Sequence, residues 1–367
     1  MNITSELSGI LKQQLGWNKA RTECLANMII ALLTVKTVNL TEWAHVFLTA
    51  AHPDSAYIRI KRFFRHYEFN GNTIAQFIFL LFNFSSGQWY LTLDRTNWQF
   101  GKFNINFLML AIAYKGIAIP IMWILLDKQG NSNCAERIRL MQRFIFCFGK
   151  KVIKGVLADR EFVDKLWFHY LKEQKIPFFI RIKNNCLITN AQGQLVNAWQ
   201  LFLGLKAGEK RILMGERKLF GLNFNITGLR CEKNTFLIVA TTESAEQAIE
   251  TYAHRWEIES LFTALKTRGF NLEDTHITQL DRLAKLMAIV AIAFCWAHKV
   301  GEWQHEIKPI KIKKHGRKAI SLFHYGINQL RNAFCGIKRS SEEMLKLTHI
   351  LIAPPLPAAI TQLEFFL

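Results

Sequence analysis

The chain has 367 residues, half of them hydrophobic, so it can bury a large core spread over about two or three domains. Lys and Arg outnumber Asp and Glu by 19 charges, which suggests a polyanionic partner, most simply nucleic acid; the competing reading is a soluble protein that is merely basic. Seven scattered cysteines without a CxxC pair, and the lack of any HExxH, support neither a disulfide framework nor a zinc site.

The opening MNITSELSGI lacks the basic and apolar blocks of a signal peptide, so a reducing intracellular compartment is expected. Residues 1–86 read as helical. ECLANMIIALL has helical apolar spacing, and LTEWAHVF starts with Thr41 as a candidate cap. YIRIKRFFRHYEF interleaves Arg59, Lys61, Arg62 and Arg65 with Tyr57, Phe63, Phe64 and Tyr67. Such a helix can lie on phosphates, or it can be an amphipathic helix with a solvated basic face. Arg62 and Arg65 are the candidate DNA contacts here.

From residue 87 the pattern turns to β. QWYLTLDRTNW, KFNINFLMLAIAY and IAIPIMWILL read as three successive strands. Phe107 to Leu126 is apolar and long enough to cross a membrane, but Lys115-Gly116 divides it, and two strands joined by a tight turn explain it better. CAERIRLMQRFIFCFG is a helix, KKVIKGVLADREF a strand ending at an acid, DKLWFHYLKEQ a helix and IPFFIRI a strand. Weak alternation in apolar strands suits a mixed α/β sheet covered on both sides.

Residues 183–245 carry short β-like runs with Gly and Asn turns, as in a β-rich insertion. ESAEQAIETYAHRWEIESLFTALKTRGF then reads as one long helix, opening near Ser244 with Gln247 three residues on and stopping near Gly269. LDRLAKLMAIVAIAFCWAHKVGEW is a further helix, whose apolar stretch Leu286 to Ala297 is too short to span a bilayer. Residues 301–367 include KPIKIKKHGRKAI, a basic arm that offers Lys313 and Lys314 to a polyanion, and end in the apolar, Pro-containing APPLPAAITQLEFFL.

Acids interrupt the apolar runs at three places. Asp94 stands late in the first strand, Asp159 at the end of the fourth, and Glu259 on the long helix. Carboxyl ends of sheet strands are where α/β sites collect. Three carboxylates converging on one point repel one another unless divalent cations neutralise them, and all-oxygen ligands select Mg²⁺ or Mn²⁺. Two such ions clamp the attacking and leaving oxygens of an in-line phosphoryl displacement. Taken singly, an Asp at a strand end is more often a helix cap or turn residue, and a Glu beside an Arg on a helix is usually half of a solvated ion pair. On one continuous helix Tyr252, Arg255, Glu259 and Lys266 would share roughly a 60° arc.

In these residues the sequence resembles the DDE transposases of bacterial insertion sequences, specifically the insertion-sequence-four family. The family signature Tyr-x2-Arg-x3-Glu-x6-Lys is met at Tyr252, Arg255, Glu259 and Lys266; LTLDRTNW and VLADREF match the two Asp blocks. The resemblance implies an RNase H-like mixed sheet core formed by residues 87–182 and 246–300, interrupted by the β-rich insertion. A helical N-terminal DNA-binding domain precedes it and the helical, basic region 301–367 follows. It implies Asp94, Asp159 and Glu259 as catalytic, metal-binding acids holding two Mg²⁺, with Mn²⁺ able to substitute, and Tyr252, Arg255 and Lys266 as phosphate grips. It further implies cut-and-paste transposition through a DNA hairpin, double-stranded transposon ends and target as partners, a homodimer when synapsed on DNA, no membrane association, and a location in the bacterial cytoplasm with the nucleoid. Family members stack a flipped base on an aromatic of the insertion, for which Trp199 and Phe220 are candidates, and Trp98 could also face DNA; for each, core packing is the commoner role. Two other readings stand beside this one: a catalytically inactive protein that only binds ends, and an RNase H-like nuclease working on host DNA.

Overall fold

A computed structural model describes residues 3–232, 235–314, 316–335 and 341–354. The final apolar stretch beyond residue 354 lies outside the described residues. Five helices open the chain: α1 (Ile3–Leu15), α2 (Lys19–Val35), α3 (Leu40–His45), α4 (Pro53–His66) and α5 (Gly71–Leu81). The cap of α3 is Asn39, whose side chain accepts from the Thr41 amide, rather than Thr41 itself. Pro53 begins α4, where a missing amide hydrogen costs nothing. Its apolar face (Ala56, Ile60, Phe63, Phe64) is buried while Lys61, Arg62 and Arg65 are exposed.

Three strands follow: β1 (Trp89–Phe100), β2 (Phe103–Tyr114) and β3 (Ile117–Leu125). The expected turn between the last two is present. Lys115 and Gly116 both have positive φ, 50° and 90°, the combination a two-residue hairpin needs, and Tyr114 pairs with Ile117. Then come α6 (Cys134–Phe148), β4 (Ile153–Ala158), α7 (Lys165–Glu173) and β5 (Phe178–Ile182). A capping box between Asn133 and Glu136 starts α6.

The next stretch forms β6 (Leu187–Thr189), β7 (Leu195–Asn197), β8 (Lys210–Ile212), β9 (Arg217–Leu219), β10 (Leu222–Arg230) and β11 (Phe236–Thr241). These strands do not make a separate layer. β11 pairs antiparallel with β5, β10 with β11, and the sheet runs β3-β2-β1-β4-β5-β11-β10-β9-β6-β7, with β8 on β10. The order 3-2-1-4-5, with β2–β3 antiparallel and β1–β4–β5 parallel, is the RNase H-like arrangement.

The long helix expected from Ser244 is two helices, α8 (Ala248–Ala253) and α9 (Trp256–Leu265). The break falls at His254–Arg255, where turn hydrogen bonds replace the α-helical ladder: His254 N to Thr251 O and Arg255 N to Tyr252 O. Last come α10 (Leu280–Ile307), α11 (Leu322–Cys335) and α12 (Ser341–Ile352). α10 is long and apolar enough to cross a membrane, but 94% of its apolar window is buried inside the protein. Core burial explains that composition.

The chain divides into two compact units. Of the described residues, one comprises those up to Asn83, Asn97–Asn106 and those from Phe262 on, the other Phe84–Thr96 and Phe107–Leu261. Within the first, α10 and α11 touch backbone to backbone. A Cβ on Gly326 would fall 1.7 Å from the Ala297 carbonyl oxygen, and one on Gly301 1.9 Å from that of Leu322. Two buried lysines of α10 serve helix ends: Lys285 Nζ donates to Phe64 O at 2.9 Å, and Lys299 Nζ donates to Leu81 O at 2.6 Å and Ala353 O at 2.5 Å. Within the second unit, Ala248, Ile249 and Tyr252 of α8 bury against Leu157, Phe179, Leu229, Leu237 and Val239 of the sheet. That contact fixes where α8 ends and the turn toward α9 begins.

Candidate active site

All three acids lie in the second unit. β1 and β4 run parallel with Leu93 opposite Ala158. Asp94, mid-way along β1 rather than late in it because the strand continues past its pairing with β4 to Phe100, and Asp159, the residue after β4, therefore follow side by side just beyond the last β1–β4 pair. Apolar runs carry the chain to this point: Leu91, Thr92 and Leu93 are buried, as are Val156, Leu157 and Ala158.

The turn between α8 and α9 brings the third acid. Arg255, only 4% exposed, donates from one guanidinium nitrogen to Glu259 Oε1 at 2.7 Å and from the other to Asp94 Oδ2 at 3.5 Å. Tyr252, one turn earlier, donates its phenol to Asp159 Oδ1 at 3.4 Å. Arg181 of β5 approaches the same oxygen at 3.9 Å. The stripe of Tyr, Arg and Glu thus meets both aspartates, and the helix break aims it: Tyr252 is on α8, Glu259 on α9, and Arg255 in the turn between.

Burial pushes the Asp94 carboxyl up to about 7, and the Arg95 amide and the Arg255 charge oppose this without cancelling it, while Glu161 and Glu259 add to it. Arg255 behaves in the opposite sense. Burial works against its charge, but the Tyr252 oxygen, Glu259 and Asp94 raise its affinity for its proton overall. Asp94 holds its proton more tightly because burial outweighs the cations beside it, and Arg255 because the surrounding acidic groups outweigh burial. Burial likewise raises Tyr252, which stays a hydrogen-bond donor at any physiological pH.

A second ring of residues supports these acids. Arg95 grips Glu161 through Nε at 3.3 Å and a terminal nitrogen at 3.4 Å, and reaches Asn131 at 3.1 Å. Arg137, buried, donates to Ser132 and to Glu161 O at 3.3 Å. This ties the segment after β4 to the segment after Asp94. Sequence reasoning passed over Arg95, Glu161, Arg137 and Arg181. Arg181 had a visible signal, a single cation inside the apolar strand FFIRI; the others required knowing which strands are neighbours.

Lys266, just after α9, donates to Asn97 O at 3.2 Å, pairs with Glu273 at 2.9 Å and stands 5.3 Å from the Trp98 ring. Trp98 is 8% exposed, a packed side chain. Trp199 and Phe220 of the β-rich stretch are both partly exposed, at 36% and 39%, and Phe220 has a positive φ of 56° with its ring against Phe168. Lys313 and Lys314 are exposed beside a short bridge between Ile312 and Lys318.

The three acids offer only oxygen donors, the set a hard divalent cation prefers, and poorly solvated Asp94 is a carboxyl that such a charge would ionise. The fit holds by the chemistry of the donors, not by their present spacing. Among the described residues no three His, Cys, Asp or Glu side chains stand close enough together to ligate an ion as they are. Arg255 spans the space between Asp94 and Glu259, so ligation requires that bridge to open.

Two acids of neighbouring sheet segments, Asp94 and Asp159, and one of helix α9, Glu259, are thus linked through Arg255 and Tyr252 beside an RNase H-like sheet. The family described as Transposase DDE domain matches residues 85–296, a stretch that holds all three acids, and the chain belongs to that family. It is a DDE transposase-type enzyme whose family acts with divalent metal ions. No match was found among curated proteins. Among solved structures the chain is similar to the piggyBac transposase in its synaptic complex with hairpin DNA, at 10% identity and a TM-score of 0.47, over 97% of this chain and 84% of that one.

Proposed function

We propose that this enzyme carries out cut-and-paste transposition of an insertion sequence, with Asp94, Asp159 and Glu259 as its catalytic acids. The observation that carries the reading is the meeting of these acids through Arg255 and Tyr252, at the strand edge set by the β1–β4 register. Water cleaves a phosphodiester at the element's end. The freed 3′-hydroxyl attacks the opposite strand to give a hairpin, the hairpin is reopened by water, and the 3′ end is joined to target DNA. Each step exchanges one phosphorus–oxygen bond for another, so none needs an external energy source.

The three acids would hold Mg²⁺, or Mn²⁺ in its place, and the ion would supply positive charge where the phosphate gathers negative charge. The chain's own groups do the rest. Once Arg255 leaves the carboxylates, its planar fork can take two phosphate oxygens. The Tyr252 phenol, which holds its proton through burial, can donate one hydrogen bond to the same strand. Arg181 faces the Asp159 side of the centre. Lys266 adds a point charge if Glu273 releases it. Arg62, Arg65, Lys313 and Lys314, exposed and basic, contact DNA outside the cut. Two copies act together on two ends, because both ends must be joined to one target.

The test is cleavage of a labelled duplex carrying the element's own end, in Mg²⁺, by wild type and Glu259→Ala. Nicks and hairpins from the wild type alone are expected. A wild type that binds the end but never cuts it, in Mg²⁺ or Mn²⁺, would leave a protein that only occupies ends and sink the catalytic reading.

A further inference from the structure

The helical unit contains a cavity of about 180 Å³ that the acids do not explain. Its cationic wall is Lys61 and Arg65 of α4 and Arg282 of α10. Tyr57, Phe64 and His276 supply aromatic surface. Among the described residues none of the three cations has a carboxylate within ion-pair distance. The single acid on the wall, Asp274, accepts instead from the Thr37 hydroxyl at 3.5 Å. Three like charges around one small space, opposed by one carboxylate, repel one another in the absence of an anion.

Other features aim at the same kind of ligand. α10, 28 residues long, begins at this cavity: Gln279 precedes its first residue and lines the wall, and its side chain does not cap the helix. The first-turn amides and the helix dipole thus add positive potential to that of the side chains. The frame is fixed, since Lys285 of α10 donates to Phe64 O at the end of α4. His276 stacks on Phe100 with ring centroids 5.0 Å apart, which holds that side of the wall in place. Lys61 stands 5.3 Å from the Tyr57 ring, so charge and π-face are presented together.

We infer that this cavity is a phosphate-binding site that takes one phosphate of a nucleic-acid strand, with Lys61, Arg65 and Arg282 as its ligands. The space is below the roughly 300 Å³ at which drug-sized pockets begin, so it admits a single nucleotide unit and not a longer segment. Two arginine forks suit the bidentate geometry of phosphate, and the lysine contributes a point charge. Asp274 offsets one of the three positive charges and leaves an excess of two facing the phosphate. The proposal rests on the enzyme acting on DNA, and it adds a contact belonging to the helical unit alone.

The test measures duplex binding by fluorescence anisotropy in EDTA, so that no cleavage intervenes. Wild type is compared with Lys61→Gln, Arg282→Gln, the double variant, Arg282→Lys, and Lys12→Gln as an exposed control outside the cavity. The double variant should bind roughly tenfold more weakly, and the slope of log affinity against log salt should fall by about one. Arg282→Lys should recover part of the affinity, which a fold defect would not do. A double variant that matches Lys12→Gln in affinity and slope overturns the site while the transposase reading stands. If wild type binds no duplex, that reading fails, and thermal protection by inorganic phosphate or deoxythymidine monophosphate decides the cavity separately. Protection of wild type but not the double variant sustains it, and equal behaviour of the two overturns it. Competition by the mononucleotide identifies a whole nucleotide as ligand; competition by an oligonucleotide alone identifies a backbone phosphate.

Discussion

Two cationic regions of this molecule handle charge in opposite ways. At the strand edge three cations near the acids are engaged: Arg255 with Asp94 and Glu259, Arg95 with Glu161, Arg181 with Asp159. At the cavity of the helical unit, Lys61, Arg65 and Arg282 face open space. The first region is nearly self-neutralised and must exchange partners to work. The second is already poised for an anion and needs no rearrangement. Polyanion attraction and phosphoryl chemistry are thus built from the same residue types by pairing them or leaving them unpaired.

The sharpest way to break the first region is to remove an acid. Asp94→Asn or Asp159→Asn should abolish cleavage of an end-bearing duplex while leaving its binding measurable by gel shift. The next effect is on the fold. Gly326→Ala gains about 1 kcal/mol of helix propensity but drives a methyl into the Ala297 carbonyl, a clash of about 3 kcal/mol, so thermal unfolding should shift downward. Glu161→Gln should slow cleavage by roughly tenfold with unchanged duplex affinity, because it loosens Arg95 without touching the acids.

The smallest effect is on pH. Asp94 has its folded pKa raised to about 7, above the ordinary value of about 3.9. Its stabilising contribution is therefore complete below pH about 4 and is lost as pH rises through about 7. Chelator-treated wild type should lose stability across that window in urea titrations, and Asp94→Asn should flatten the loss.

Much of the site was legible because its acids interrupt apolar runs. Asp94 interrupts one buried strand and Asp159 follows the end of another, and Glu259 falls at a fixed spacing from Tyr252 and Arg255. What sequence could not give was the break at His254–Arg255. The stretch EQAIETYAHRWEIESLFTALK has good helix formers throughout, so local propensity favours one rod. Burial of Tyr252 against Val239 and Leu237, together with the pull of Asp94 on Arg255, decides otherwise. The continuity of the β-rich stretch with the main sheet was hidden for a similar reason, since β5 and β11 pair across a long interval. Arg282 in LDRLAK carries no signal of its own in the sequence, since the cavity it lines also takes its wall from the distant α4.

The Lys299 ammonium joins the carbonyls of Leu81 and Ala353, far apart along the chain, on α10. The helical unit is thus assembled from segments made first and last, with most of the sheet unit made between them. During synthesis the sheet unit can emerge whole and fold while α1 to α5 still wait for α10 and α12. A nascent chain would therefore carry a nearly complete set of acids before the phosphate cavity exists, and any polypeptide halted before residue 280 would lack that cavity altogether.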